Sequence, residues 1–236
     1  MTLTLRREDG RFLRVGHRGA AALAPANSIR SLASALSEDV DLVEFDVLPD
    51  GPGLVLGHSP KELVADAPTL DDALAFLAVS APTHVGIDLD LKWHGYEAEV
   101  VEALHRHGLV QRTVICSFFP HSLRRVKELE PAVLVGLSYP WDRRGLAERR
   151  ALAPVVRGGI VALRRTLPLR IGRMLSRAHA DAAMINHLVL SRALVERCHR
   201  LGKAVLTWTV DDARDLERVL ATGVDGVISN DPRILR

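Results

Sequence analysis

Cysteine is nearly absent from the chain. Its 236 residues include two, Cys116 and Cys198, and neither stands in a C-x-x-C or metal-knuckle spacing. That excludes a disulfide-stapled scaffold and a cysteine-ligated metal knuckle. Cys116 falls in an apolar strand-like run and Cys198 in a helix-like one, so both are expected as buried free thiols, in keeping with a reducing compartment. Long apolar runs are missing too. No stretch reaches the roughly 18 apolar residues of a membrane span, so no stable membrane insertion is expected. Residues 1–9 carry no apolar core of a signal peptide, and the expectation is a cytoplasmic protein. Net charge is small: 31 Lys and Arg against 29 Asp and Glu leave +2, which gives no strong field for nucleic acid or an anionic membrane. The local basic pairs Arg143-Arg144, Arg149-Arg150 and Arg164-Arg165 read as solvated helix surface. There is no evident aromatic or apolar stretch suited to docking lipid, no low-complexity tract and no internal repeat. A single domain over 1–236 is expected.

Apolar residues make up 47% of the chain and charged residues 25%, the balance of an ordinary globular protein. Short β-branched runs alternate with helical patterns. Strands are expected over 12–16, 41–47, 85–91, 112–117, 132–138, 182–186, 203–209 and 224–229. Helices are expected over 28–37, with Asn27-Ser28 as cap, and over 70–79, 96–106, 122–129, 191–201 and 211–220, the last capped by Thr209 or Asp211. His107-Gly108, Leu201-Gly202 and Thr222-Gly223 mark helix ends. Eight strands alternating with helices make an α/β fold with a parallel sheet. A (β/α)8 barrel suits this length best, with an open doubly wound sheet as the alternative. After the second strand, Pro49-Asp50-Gly51-Pro52-Gly53 signals a turn into a further short strand, Leu54-Val55-Leu56, so a small hairpin is expected on the rim. Residues 139–178, broken by Pro140, Pro154 and Pro168, carry no clear pattern.

Catalytic groups of such a barrel gather at the C-terminal ends of its strands. There stand His17 and Arg18, then Glu44 and Asp46, then His58 after the hairpin, then Asp88, Asp90 and Lys92, then Ser117-Phe118, Trp208 and Ser229-Asn230-Asp231. Glu44 and Asp46 are two apart on a strand and point the same way, as do Asp88, Asp90 and Lys92. Acids projecting together into a barrel are costly to bury unless a cation joins them. A hard divalent ion, Mg²⁺, Ca²⁺ or Mn²⁺ rather than zinc, suits oxygen ligands. A rim salt bridge of Glu44 or Asp46 with Lys92 or Arg18 is the plainer alternative. His17 and His58 fit a general base and a general acid. The remaining histidines, His105 and His107 included, read as surface or cap residues.

These residues resemble the glycerophosphodiester phosphodiesterases. The resemblance runs in order along nearly the whole chain. It is carried by His17-Arg18-Gly19 with Pro25-Ala26-Asn27-Ser28, by Glu44-Phe45-Asp46-Val47 with Asp50-Gly51, and by Leu54-Val55-Leu56-Gly57-His58. Thr69-Leu70-Asp71-Asp72, Ile87-Asp88-Leu89-Asp90-Leu91-Lys92, Ser117-Phe118, Trp208-Thr209-Val210 and Gly223-Val224-Asp225-Gly226-Val227 continue it. The resemblance implies a TIM barrel with one divalent cation, Ca²⁺ or Mg²⁺, that hydrolyses a small-molecule glycerophosphodiester to glycerol 3-phosphate and an alcohol, as a monomer or homodimer. By position it implies Glu44, Asp46 and Asp90 as metal ligands and His17 and His58 as the acid/base pair. Arg18 and Lys92 would hold the phosphate, and Trp208 would line the glycerol or leaving-group side. The chain departs from the pattern at Ser59, where the family has aspartate, and at Asp90, where it has glutamate. Asp211 replaces asparagine, and the insertion over 59–68 is short. The changes at Ser59, at Asp90 and in the insertion bear on substrate identity more than on fold. A lysophospholipid-type diester and a degenerate barrel that binds phosphorylated ligands without turnover are the alternatives.

Overall fold

The structure, a computed structural model, describes residues 2–7, 10–141 and 153–236. Its strands are β1 (Leu13–Gly16), β2 (Leu42–Asp50), β3 (Gly53–Leu56), β4 (Gly86–Leu91), β5 (Thr113–Ser117), β6 (Leu134–Tyr139), β7 (Ala182–Asn186), β8 (Ala204–Trp208) and β9 (Gly226–Ser229). The hydrogen-bonded order is β1-β9-β8-β7-β6-β5-β4-β2, and pairing of β1 with β2 closes the ring. All ring pairings are parallel, while β3 runs antiparallel to β2. The result is the expected (β/α)8 barrel with a hairpin on its rim, not an open sheet.

Around it pack α1 (Ile29–Ser37), α2 (Leu70–Ser80), α3 (Glu97–Arg106), α4 (Pro120–Leu129), α5 (Ala153–Ala178), α6 (Arg192–Arg200) and α7 (Ala213–Leu220). Helix α5 is the element the sequence hid. Pro168 lies inside it and removes one backbone hydrogen bond. The helix continues because Leu167, Ile171, Leu175 and Ala178 are buried against the barrel. Packing here outweighs propensity. Of the basic pairs read as surface, Arg164 and Arg165 are exposed on α5, with Arg164 also donating to the Leu190 carbonyl at 3.1 Å. Arg143-Arg144 and Arg149-Arg150 lie outside the described residues. Cys116 and Cys198 are buried and free. Among the described residues no helix is long and apolar enough to cross a membrane.

Strand alternation makes two layers. Val43, Phe45, Val47, Ile87, Leu89 and Leu91 point outward into the core shared with the helices. Inside the barrel, Leu13, Val15, Leu42, Val114, Met184 and Leu206 pack together, and Leu3 and Leu5 from the N-terminal segment join them. The same inward face of β2 and β4 carries Glu44, Asp46, Asp88 and Asp90 toward the C-terminal ends. Parallel register places Glu44 beside Asp88 and Asp46 beside Asp90.

Candidate active site

The loop after β1 is built by close approach. A Cβ on Gly16 would collide with the Gly19 carbonyl oxygen, and a Cβ on Gly19 would collide with the Ser31 backbone. Gly19 also has φ +80°, a region open to glycine at little cost. Between them Arg18 is held at φ 49°, unusual for a residue with a side chain. The loop is pinned from outside: His17 N–H donates to Ser229 O at 2.8 Å and Gly19 N–H to Glu44 O at 2.7 Å. Arg18 N–H donates to the Glu44 carboxylate at 2.6 Å. The backbone is thus bent around Glu44, and the His17 and Arg18 side chains stand over the acids.

Glu44, Asp46 and Asp90 form one cluster, each with a carboxylate oxygen within 4.8 Å of the others. Lys92 Nζ sits between two of them, 2.6 Å from Asp46 Oδ1 and 2.5 Å from Asp90 Oδ2. Arg18 Nε lies 3.2 Å from Asp46 Oδ2. Burial alone would raise Asp46, but the Lys92 and Arg18 cations outweigh it and hold this carboxyl well below the usual range. Burial pushes Glu44 well up, and the neighbouring Asp46 charge adds to it. Burial also raises Asp90. Asp88 stands deeper, buried, with the Cys116 thiol donating to it at 2.8 Å. Burial pushes Asp88 up to about 7. The structure therefore separates Asp88 from the three acids that meet.

His17 Nδ1 is 2.7 Å from Asn230 Oδ1. Asn230 Nδ2 in turn donates to Asp211 Oδ2 at 2.6 Å, and Asn230 N–H donates to Asp211 Oδ1 at 2.8 Å. The Asp211 carboxylate accepts, so the amide nitrogen of Asn230 faces it and the amide oxygen faces histidine. His17 then carries its proton on Nδ1 and bares Nε2, which lies 3.9 Å from Glu44 Oε2. Burial lowers the imidazole to about 4, with Asp46 opposing and Arg18 reinforcing the shift. The ring is neutral at pH 7.

His58 follows β3. Its Nδ1 is 3.0 Å from Glu62 Oε1, which also accepts from the Ser59 hydroxyl at 3.1 Å. Glu62 Oε2 lies 3.6 Å from Arg18 Nη1. One carboxylate thus ties the histidine loop to the β1 loop. Burial would raise Glu62, but its hydrogen bond to His58 and the His58 charge hold it below the usual range.

Four partners of these groups have roles that the sequence did not assign. Asn27-Ser28 read together as a helix cap. Ser28 does cap α1, while Asn27, at φ 55°, turns inward to clasp Asp46 through Nδ2 at 2.9 Å and Oδ1 at 3.0 Å. Asp211 read as a cap of α7, but Asp212 is the cap and Asp211 holds Asn230. Asn230 stood in the Ser229-Asn230-Asp231 strand end without an assigned role, and Glu62 carried no motif that marked it. Trp208 stands at the end of β8, across the mouth from the acids, its indole donating to Met184 O at 3.1 Å.

The acid cluster fits a hard cation. Asp90 Oδ1 is buried without a hydrogen-bond partner, and three carboxylates face two cationic side chains. An all-oxygen donor set of this kind suits Mg²⁺, Ca²⁺ or Mn²⁺. Fold and site together define the class: a (β/α)8 barrel with an acid-lined, histidine-flanked cleft at the C-terminal ends of its strands.

Residues 57–234 match the model of the glycerophosphoryl diester phosphodiesterase family. The chain belongs to this family. It is 26% identical over 264 positions to a glycerophosphodiester phosphodiesterase of Caldanaerobacter subterraneus, covering 94% of this chain and 95% of that one. A crystal structure from Silicibacter pomeroyi superposes with TM-score 0.78 at 22% identity, over 98% of this chain and 95% of that one. An Oleispira antarctica phosphodiesterase in complex with the product sn-glycerol-3-phosphate superposes with TM-score 0.70 at 21% identity, over 94% of each.

Proposed function

We propose that the chain is a metal-dependent glycerophosphodiester phosphodiesterase that releases glycerol 3-phosphate and an alcohol. The observation that carries this reading is the meeting of Glu44, Asp46 and Asp90 beneath a neutral His17 whose Nδ1 is tied to Asn230. Family membership and the product bound to the Oleispira antarctica relative support the substrate class.

Glu44, Asp46 and Asp90 would hold one Ca²⁺ or Mg²⁺, with Mn²⁺ the third candidate. When bound, the cation supplies positive charge to a non-bridging phosphoryl oxygen and to the charge that develops there. Arg18 and Lys92 share that work, with Lys92 close enough to the acids to exchange a carboxylate for phosphate. His17 Nε2 takes the proton of the attacking oxygen: water gives glycerol 3-phosphate directly, whereas the neighbouring glycerol hydroxyl gives a cyclic phosphodiester that a water, deprotonated by His58, then opens to glycerol 3-phosphate. His58, its Nδ1 held by Glu62, hands a proton from Nε2 to the departing alkoxide. Asn27 keeps Asp46 oriented. Trp208 walls the opposite side of the cleft.

Release of glycerol 3-phosphate from a panel of glycerophosphodiesters, with and without EDTA, tests the reading. Activity should vanish on chelation and return with Ca²⁺ or Mg²⁺. His17→Ala and His58→Ala should each lower kcat by about a hundredfold or more. Unchanged turnover in both variants, or full activity in EDTA, contradicts it.

A further inference from the structure

The barrel mouth has two unlike halves. The acids, Lys92 and the two candidate catalytic histidines come from β1, the β2–β3 hairpin and β4, and Asn230 follows β9. The aromatic groups come from the ends of β4, β5, β6 and β8, with the imidazoles of His94 and His121 packed beside Trp93 and Phe119. All three tryptophans of the chain, Trp93, Trp141 and Trp208, stand there. Phe118 links them across the mouth. Its ring stacks on Trp141 at 5.9 Å and meets Trp208 edge-on at 6.0 Å. Phe119 extends the contact to Trp141 at 5.0 Å and Trp93 at 5.9 Å. Trp93 is 53% exposed and Trp141 37%, so this is accessible apolar surface and not core. The aromatics are single residues on separate loops, which is why no aromatic stretch stands out in the sequence.

Beside this cluster a cavity of about 440 Å³ opens between the ends of β5 and β6 and helices α4 and α5. Phe118, Leu137, Trp141 and Met174 line it, together with Arg124 and Arg177. Aromatic surface of this kind serves either an apolar group or a quaternary ammonium. The charges decide between them. No carboxylate lines the cavity among the described residues, and the two guanidinium groups repel a cation. A cholinium or ethanolammonium group is disfavoured there.

We propose that this aromatic half and its cavity form a subsite for an uncharged apolar chain carried by the phosphodiester. The proposal rests on the diesterase reading and specifies its substrate class. Phe118 is the hinge between the two parts, touching Trp208 in the cleft on one side and lining the cavity on the other. The chain can be carried on the departing alcohol or on the glycerol, and both give the same apolar contact.

The test uses the whole protein with Ca²⁺ or Mg²⁺ and two diester series, n-alkyl groups from methyl to octyl on the alcohol or on the glycerol. In at least one series kcat/KM should rise about threefold to fourfold per added methylene until the cavity is filled. Glycerophosphocholine should fall below the hexyl diesters of that series. Phe118→Ala and the more exposed Trp141→Ala should each flatten the dependence on length. A flat dependence in both wild-type series overturns the proposal, as does glycerophosphocholine as the best substrate or an unaltered slope in both variants. These failures leave the diesterase reading standing. Absence of turnover with every diester contradicts the diesterase reading itself and the subsite with it.

Discussion

His17 and Asp211 do not touch, yet Asn230 between them makes one act on the other. The carboxylate of Asp211 receives two N–H bonds from Asn230, at 2.6 and 2.8 Å, and the Asn230 oxygen receives His17 Nδ1–H at 2.7 Å. Asp211→Asn offers an amide where only an acceptor stood, and the Asn230 side chain is then free to flip. His17 loses its assigned tautomer. The expected loss is about tenfold to a hundredfold in kcat, with KM little changed and the fold intact by circular dichroism. Wild-type kcat in this variant contradicts the relay.

Lys92 answers two carboxylates at once. Burial would lower its pKa, but Asp46, Asp90 and Glu44 raise it above the ordinary lysine value. Lys92→Met strips the acid cluster of this charge. Without metal the variant should be less stable by about 3 to 5 kcal/mol. Added Ca²⁺ or Mg²⁺ should recover more stability in the variant than in wild type. Thermal melts with and without EDTA measure both effects. Equal melting temperatures in EDTA would contradict the compensation.

Asp88 makes the pH dependence legible. Burial sets its folded pKa at about 7, against about 3.9 in an unfolded chain. Between those values the folded state binds more protons than the unfolded one. Its contribution is therefore complete below about pH 4 and is lost as pH rises through about 7. Asp88→Asn removes that slope. Urea midpoints in EDTA from pH 5 to 8 should fall for wild type relative to the variant. Parallel profiles contradict the assignment.

Glu62 joins His58, Ser59 and Arg18. Glu62→Gln keeps the shape but removes the charge. Being exposed, Glu62 adds little to stability, so the melting temperature should hold. Loss of ring orientation at His58 should lower kcat by about tenfold. A variant with unaltered kcat would reduce Glu62 to a surface ion pair.

The strands were legible because each is a short apolar run closed by a turn. The acids were legible because period-two spacing survives in any register: Glu44 with Asp46, and Asp88 with Asp90 and Lys92. That spacing could not separate Asp88 from its neighbours, since depth in the barrel depends on closure. Helix α5 was hidden by Pro168, whose cost is met by Leu167, Ile171 and Leu175 against the barrel. Asn27 and Asp211 were visible but misread, because a residue beside a helix start usually caps it. Their partners, Asp46 and Asn230, are 19 residues distant in both cases. The aromatic mouth escaped because Trp93, Phe118, Trp141 and Trp208 meet only when the ring closes.

The most direct test is anomalous diffraction from a crystal soaked in Mn²⁺ and glycerol 3-phosphate. One Mn²⁺ peak should lie about 2.0 to 2.6 Å from oxygens of Glu44, Asp46 and Asp90 together, with the phosphate beside His17 and Arg18. A peak that lacks any of the three carboxylates, or a phosphate bound away from His17, would contradict the account.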